Sequence, residues 1–100
     1  MNIQIGMLSD LPPKTRTVVL IGSRTSDHLR ELVRMAEFKG RAAYRIESAE
    51  ELQPRWFAGE ENVGIIIGAS GLDSIVRAVM DRLNQFAATQ NHGMLEGVAQ

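Results

Sequence analysis

The sequence predicts an α/β domain, a three-layer sandwich in which a small parallel sheet lies between helices on both faces. Two apolar runs rich in β-branched residues, 17–21 and 63–67, each end at a glycine. Continuous apolar runs of this length are typical of parallel strands that are buried on both faces. Each run is followed by an amphipathic helical pattern. We therefore expect three core strands, with a possible fourth strand at residues 2–7.

The first helix follows the first strand. Its apolar positions recur at helical spacing, at Leu29, Leu32, Val33 and Ala36. Lys39 and Gly40 then supply a cation and a glycine, which are typical of a helix end. Residues 42–46 form the third candidate strand, although Arg45 interrupts its apolar pattern.

A short connection leads from this strand to the next. Ser48 and Glu51 have the spacing of a capping box, which predicts a helical turn. Pro54 ends or restarts that turn. We expect Trp56 and Phe57 to fix the connection against the core.

The second helix is predicted by a wide apolar stripe, which comprises Leu72, Ile75, Val76, Val79, Met80, Leu83 and Phe86. Ser70 is expected to cap this helix, with Asp73 in the capping-box position. Residues 89–100 show no sustained periodicity and are expected to form a flexible tail. Residues 1–88 then form a single domain.

Composition excludes several classes of protein. The chain has 100 residues and no cysteine, so it supplies no disulfide, thiol nucleophile or thiolate metal site. Its net charge of -1 gives no overall attraction to nucleic acid, and no apolar run approaches the length of a membrane span. We therefore expect a cytoplasmic protein with neither a nucleic-acid nor a membrane partner.

Charge is distributed unevenly along the chain. Residues 1–46 carry eight basic and four acidic side chains, whereas residues 47–100 carry three and eight. This asymmetry is explained either by solvated helix faces of opposite sign or by a preference for anions on the first half.

The candidate site lies in the loops that follow the two core strands. Ligands of such folds bind beyond the carboxyl ends of the strands, where helix N-termini favour anions. Hydroxyl and guanidinium groups there can donate to a phosphate. The candidate phosphate-binding residues are Ser23, Arg24, Thr25, Ser26, His28, Gly68 and Ser70. Alternatively, these small and hydroxyl residues serve only tight turns and helix caps. Asp27 would repel a phosphate unless it faces its own helix.

Other chemistry has little support in the sequence. No dinucleotide-binding glycine motif follows a strand, and no Walker-type phosphate loop is present. His28 and His92 do not have metal-site spacing. No base is paired with a serine, which nucleophilic catalysis would require. Trp56 is more typical of a core or interface residue than of a ligand platform.

Three collinear blocks resemble one known family. The segment 22–28, Gly-Ser-Arg-Thr-Ser-Asp-His, is similar to the Gly-Ser-Lys-Asn-Ser-Ser-Asn segment of the 4-hydroxy-3-methylbut-2-enyl diphosphate reductases, the LytB family. Residues 46–59 resemble that family's Ser-Ala-x-x-Ile-x-Pro-x-Trp-Leu-x-Gly connection. Residues 63–70 resemble its Val-Gly-x-x-x-Gly-Ala-Ser strand and loop. The resemblance covers residues 17 to about 83.

The resemblance implies the last of three α/β domains that surround an iron–sulfur cluster, with loops that grip the substrate diphosphate in isoprenoid biosynthesis by the non-mevalonate pathway. Ser26 and Ser70 match serines of that grip, whereas Asp27 and His28 stand where the family has Ser and Asn. Because this chain has no cysteine, we expect it to bind no cofactor by itself.

We therefore expect a stand-alone or excised domain that is a phosphate-binding or assembly module without catalytic activity of its own. Its expected ligand is a diphosphate or another phosphate-bearing small molecule. A homodimer partner, or a chain carrying the missing domains, would complete the assembly. The alternative is a protein-interaction or homodimerisation module whose ligand pocket is vestigial.

Overall fold

A computed structural model describes the backbone of residues 2–69 and 71–99, with side chains up to residue 88. The predicted α/β sandwich is confirmed. Its parallel sheet contains β1 (Asn2–Ile5), β2 (Thr17–Ile21), β3 (Ala42–Ile46) and β4 (Asn62–Ile67), in the spatial order β1-β4-β2-β3. The possible N-terminal strand is therefore present, and it pairs with β4 at one edge of the sheet.

The two long helices are α1 (Asp27–Phe38) and α2 (Asp73–Ala99). Short 3-10 helices are formed by Leu8–Asp10, Ala49–Glu51 and Pro54–Phe57. The predicted capping box of Ser48 and Glu51 is confirmed, and Pro54 occupies the first turn of the third 3-10 helix.

The core has two layers, one on each face of the sheet. All five residues of β2 are buried, as expected for a central parallel strand. On one face, α1 contributes Leu29 and Ala36 to the core. On the other face, Phe57 and the α2 residues Val79 and Leu83 are completely buried. The apolar stripes predicted for both helices therefore face the sheet.

The start of α2 differs from the sequence expectation. The helix begins at Asp73, and the Val76 N–H donates to the Leu72 carbonyl at 2.9 Å, so Leu72 occupies the N-cap position. The predicted cap two residues earlier is wrong in position, and Ser70 itself lies outside the described residues. Gly71, which directly precedes Leu72, has φ +78°. This left-handed backbone conformation is not helical, so the helix cannot begin before Leu72.

The backbone of α2 continues to Ala99, through the segment in which the sequence predicts a flexible tail. Residues 89–100 lie outside the part of the chain whose side chains are described, so the flexible tail stays a prediction.

Candidate functional site

The two predicted loops lie side by side at the carboxyl edge of the sheet. The Gly68 N–H donates to the Ile21 carbonyl at 2.8 Å, and the Gly22 N–H donates to the Ile46 carbonyl at 3.0 Å. These hydrogen bonds link the carboxyl end of β4 to that of β2, and the carboxyl end of β2 to that of β3. The loops that follow β2 and β4 are neighbours, which is the placement that a shared ligand site requires.

Two glycines allow α1 to approach these strand ends closely. A Cβ atom at Gly22 would lie 2.5 Å from Leu29 Cδ1, and one at Gly68 would lie 2.6 Å from Leu29 Cδ2. Any larger residue would therefore overlap the leucine. The completely buried Leu29 sits in this glycine seat, formed by Gly22 and Gly68, and fixes the first turn of α1 against the sheet.

The hydroxyl groups of the β2–α1 loop are ordered by local hydrogen bonds. Ser23 Oγ and Thr25 Oγ1 are 2.8 Å apart, and Ser23 Oγ also accepts from the Thr25 N–H at 3.2 Å. Ser26 is the N-cap of α1, where its Oγ accepts from the Leu29 N–H at 3.2 Å. Because the Ser26 hydroxyl is the acceptor in this bond, its proton is available for a ligand.

The first turn of α1 also presents backbone donors. Within the described part of the chain, the N–H groups of Asp27 and His28 have no protein acceptor. Unpaired N–H groups and the helix dipole together favour an anion at this position. Asp27 is the first helical residue and not the cap, and its carboxylate lies 4.0 Å from the Arg30 guanidinium.

Arg24 is paired with two carboxylates of the β3–β4 connection. Its guanidinium forms ion pairs with Glu51 and, at 3.5 Å, with Glu47. Its backbone N–H also donates to Glu47 at 3.1 Å. The hydrogen bond and the charge of Glu51 raise the pKa of Arg24. An anion in the loop would therefore compete with these carboxylates for the Arg24 side chain.

Glu51 is the centre of this small network. Its carboxylate accepts from the Glu47 N–H at 2.7 Å and from the Ser48 N–H at 2.9 Å, in addition to Arg24. Desolvation acts to raise the pKa of Glu51, but these hydrogen bonds and the Arg24 charge outweigh it and lower the pKa. The network joins the β2–α1 loop to the capping box.

His28 is exposed on the first turn of α1. It lines a cleft of about 140 Å³ whose other walls are formed by Gly6, Met7, Leu8, Leu32, Ile66 and Ile67. The surroundings of His28 are therefore mostly apolar. Of the predicted site residues, the structure brings Ser23, Arg24, Thr25, Ser26 and His28 onto one loop and helix turn beside Gly68, and Ser70 lies outside the described residues.

Metal-binding groups are not assembled in the described residues. No cluster of three or more histidine, cysteine, aspartate or glutamate side chains is found among them. The whole chain contains no cysteine, so it does not fit the iron–sulfur cluster that the resemblance implies. In the described part of the chain, no helix is long and apolar enough to cross a membrane.

Sequence reasoning missed a groove at β3, the edge strand that pairs with β2. This basic groove, of about 500 Å³, is lined by Arg24, Arg30, Val33, Arg34, Ala43, Tyr44, Arg45 and Trp56. Tyr44 and Trp56 stack in parallel, with ring centroids 4.1 Å apart. The helical spacing of Arg30 and Arg34 is a detectable signal, but their proximity to the aromatic pair depends on the order of the strands.

These observations define the class of protein as an α/β domain with a parallel sheet, in which two strand-to-helix loops lie side by side at the carboxyl ends of the strands. The family model described as "LytB protein" matches residues 7–84, and the chain belongs to this family.

Curated relatives and a solved structure agree with this assignment. The chain is 42% identical over 73 residues to the 4-hydroxy-3-methylbut-2-enyl diphosphate reductase of Chromobacterium violaceum, a match that covers 73% of this chain and 24% of the relative. It is 38% identical over 80 residues to the reductase of the same name from Aquifex aeolicus, covering 80% of this chain and 28% of the relative.

The solved structure of (E)-4-hydroxy-3-methyl-but-2-enyl diphosphate reductase, described as the terminal enzyme of the non-mevalonate pathway, is similar with a TM-score of 0.66 and 38% sequence identity. That match covers 73% of this chain and 26% of the solved chain. The chain thus spans about a quarter of the length of the relatives that it matches.

Proposed function

We propose that this domain binds the diphosphate group of a small-molecule substrate at the loops 22–28 and 68–72, as one part of a larger reductase site and without catalytic activity of its own. The observation that carries the proposal is the adjacency of the two loops, which the Gly68 to Ile21 hydrogen bond of 2.8 Å maintains. Its relatives are reductases of a diphosphate, which supports a diphosphate as the ligand.

The chemistry of the loops suits this role. Three hydrogen-bond donors lie at the N-terminus of α1: the free N–H groups of Asp27 and His28, and the hydroxyl proton of Ser26. Donors of this kind bind phosphate oxygens by charge-assisted hydrogen bonds. Electron transfer would have to come from residues or groups outside this chain, because the chain has no ligand set for the cluster of its family. Its contribution would be to hold and orient the substrate.

The test is an NMR titration of the isotope-labelled protein with pyrophosphate and with an isoprenoid diphosphate. We expect saturable shifts of the backbone amides in residues 22–28 and 68–72. The absence of shifts at millimolar ligand would contradict the proposal. Ser70→Ala should weaken binding by about 1 kcal/mol if the match to the family serine holds, because a charge-assisted hydrogen bond is lost.

Asp27 provides a sharper comparison. Its side chain is almost fully exposed beside the free N–H groups, so Asp27→Asn removes a repulsive charge without disturbing the core. Two like unit charges roughly 6 Å apart in water repel each other by about 0.7 kcal/mol. Removing the Asp27 charge should therefore raise the affinity for pyrophosphate about threefold or more. Asp27→Ser, which restores the family residue, should strengthen binding in the same direction.

Glu37→Gln is the matched control, because it removes the same charge ten residues further along α1. That distance is about 15 Å along the helix axis, beyond the screening length of about 8 Å at physiological salt. Glu37→Gln should leave the affinity unchanged. Equal effects of Asp27→Asn and Glu37→Gln would place the ligand elsewhere.

A second candidate function is homodimerisation or protein interaction with a vestigial pocket. It is favoured by exposed apolar side chains at the β1–β4 edge of the sheet, where Ile5 is 48%, Met7 69% and Ile67 40% exposed. Exposed apolar clusters of this kind often mark interaction surfaces.

Light scattering over a range of protein concentrations tests the dimer form of this candidate. A mass that rises with concentration, and that Met7→Ser lowers, would support a dimer through this edge. Met35→Ser is the control, because Met35 is 46% exposed on α1 and lies outside the cleft that Met7 lines. A strictly monomeric protein would exclude the dimer.

A further inference from the structure

The basic groove at the β3 edge of the sheet is a second candidate binding site, which borders the β2–α1 loop of the proposed function at Arg24. It is open and of about 500 Å³, within the range of pockets that bind small molecules. Four arginines line it, and none of the described residues in its wall is acidic. Two rings complete the wall, those of Tyr44 and Trp56.

Three of the four arginines are available to a ligand. Arg45 has no ion-pair partner in the part of the chain that is described. Arg30 and Arg34 contact acidic residues of their own helix at 4.0 and 3.7 Å, and such exposed pairs contribute little to stability. These two side chains can therefore turn toward an anion at small cost.

The spacing of Arg30 and Arg34 favours an anion between them. Residues four apart lie on the same face of a helix, and like charges at this spacing destabilise it. A bound anion would relieve that repulsion. Arg45, on the neighbouring strand β3, lines the same groove from the other side.

The aromatic pair adds a surface of a different kind to the groove. Tyr44 and Trp56 are stacked face to face, with 6° between their ring planes and 4.1 Å between their centroids, and both are only partly buried. Phe57, which is completely buried, contacts Trp56 edge-on at a centroid distance of 6.2 Å. This contact holds the indole in place. A fixed, half-exposed aromatic pair offers a platform on which a planar ring can stack.

We propose that the basic groove binds a nucleoside monophosphate, with its phosphate held by Arg30, Arg34 and Arg45 and its base stacked on the Tyr44–Trp56 pair. The guanidinium groups provide the forked donors that suit a phosphate, and the rings provide the surface that suits a base. A phosphate without a ring would use only half of the groove.

The experiment exploits the single tryptophan of the chain, which is Trp56. Stacking of a base on Trp56 quenches its fluorescence, so titration with AMP should give a saturable quench. Adenosine lacks the phosphate, and ribose 5-phosphate lacks the base. We expect both to bind at least about tenfold more weakly than AMP, because stacking and charge-assisted hydrogen bonds each contribute about tenfold to the affinity. N-acetyl-tryptophanamide corrects for absorption by the nucleotide.

Matched variants locate the site. Arg34→Gln and Arg45→Gln should each weaken AMP binding by about fivefold or more, through loss of a charge-assisted hydrogen bond. Arg55→Gln is the control: Arg55 is exposed and adjacent to Trp56 in the chain, but it does not line the groove. NMR shifts on addition of AMP should include residues 43–45 and 56.

Three results would overturn the proposal. The first is no saturable quench at millimolar AMP. The second is equal affinity for AMP and ribose 5-phosphate, since the rings would then play no part. The third is a short single-stranded RNA that binds more than about tenfold tighter than AMP and gains affinity with length, which would make the occupant a nucleic acid and not a free nucleotide.

Discussion

The glycine seat under Leu29 makes a quantitative prediction about stability. A Cβ at Gly22 would lie 2.5 Å from Leu29 Cδ1, about 1 Å inside a normal carbon–carbon contact. The leucine cannot move away toward Gly68, because its Cδ2 atom already lies over that residue. We therefore expect Gly22→Ala to lower the free energy of unfolding by about 2 kcal/mol, within the usual cost of overpacking. Urea denaturation followed by circular dichroism measures this change.

A double-mutant cycle isolates the contact. Leu29→Ala alone should cost about 2 to 5 kcal/mol, because it leaves a cavity in the core. In the double variant, the methyl group added by Gly22→Ala fills part of that cavity. Its free energy of unfolding should therefore be about 1 to 2 kcal/mol higher than the two single effects would give by addition.

Two further glycines serve as comparisons. Gly68→Ala should be rescued less well by Leu29→Ala, since its Cβ also meets the Ile21 carbonyl oxygen at 3.0 Å, and that atom belongs to the backbone. Gly6→Ala should have almost no effect, because its nearest contacts are at 3.8 Å. A Gly22→Ala variant as stable as the parent protein, or strict additivity in the double variant, would refute the argument.

Further predictions concern the cap, the core and the capping-box carboxylate. Ser26→Ala should cost about 1 kcal/mol of unfolding free energy, because the Leu29 N–H loses its acceptor, and Ser26→Asp should retain most of it. Phe57→Ala should cost about 3 to 5 kcal/mol in the same assay, because the ring is completely buried. The pKa of Glu51 is lowered by folding, so its stabilisation is present above its ordinary value of 4.5 and is lost as the pH falls through the lower folded pKa. The stability difference between the parent and Glu51→Gln should accordingly shrink toward acid pH, and a constant difference would contradict this.

Local sequence patterns predict much of this fold because they report burial directly. The run 18–21 is apolar at successive positions, and β2 is buried at all of them. Leu29 and Ala36 lie on the predicted face of α1 and are both buried. The Ser48 capping box is confirmed because it depends only on residues three apart.

Features that depend on distant contacts could not be predicted in this way. The pairing of β1 with β4 is set by the topology of the sheet and not by the pattern of residues 2–5. Arg24 looks like a phosphate ligand in the sequence, yet its side chain pairs with Glu47 and Glu51, which are more than twenty residues away. Tyr44 and Trp56 come together for the same reason, since the β3–β4 connection folds back along the edge strand.

The β2–α1 loop is positioned by this chain's own residues at three separate points. Leu29 fixes the helix turn against the sheet, Ser26 caps that turn, and Arg24 ties the start of the loop to the capping-box carboxylate of Glu51. A loop held at three points presents its donors without a large loss of conformational entropy on binding. A domain that supplies only part of a larger site would need such a loop, because its donors must already be in place when the rest of the site closes around the ligand. The order of the loop is therefore consistent with the proposed role of this domain in holding a substrate.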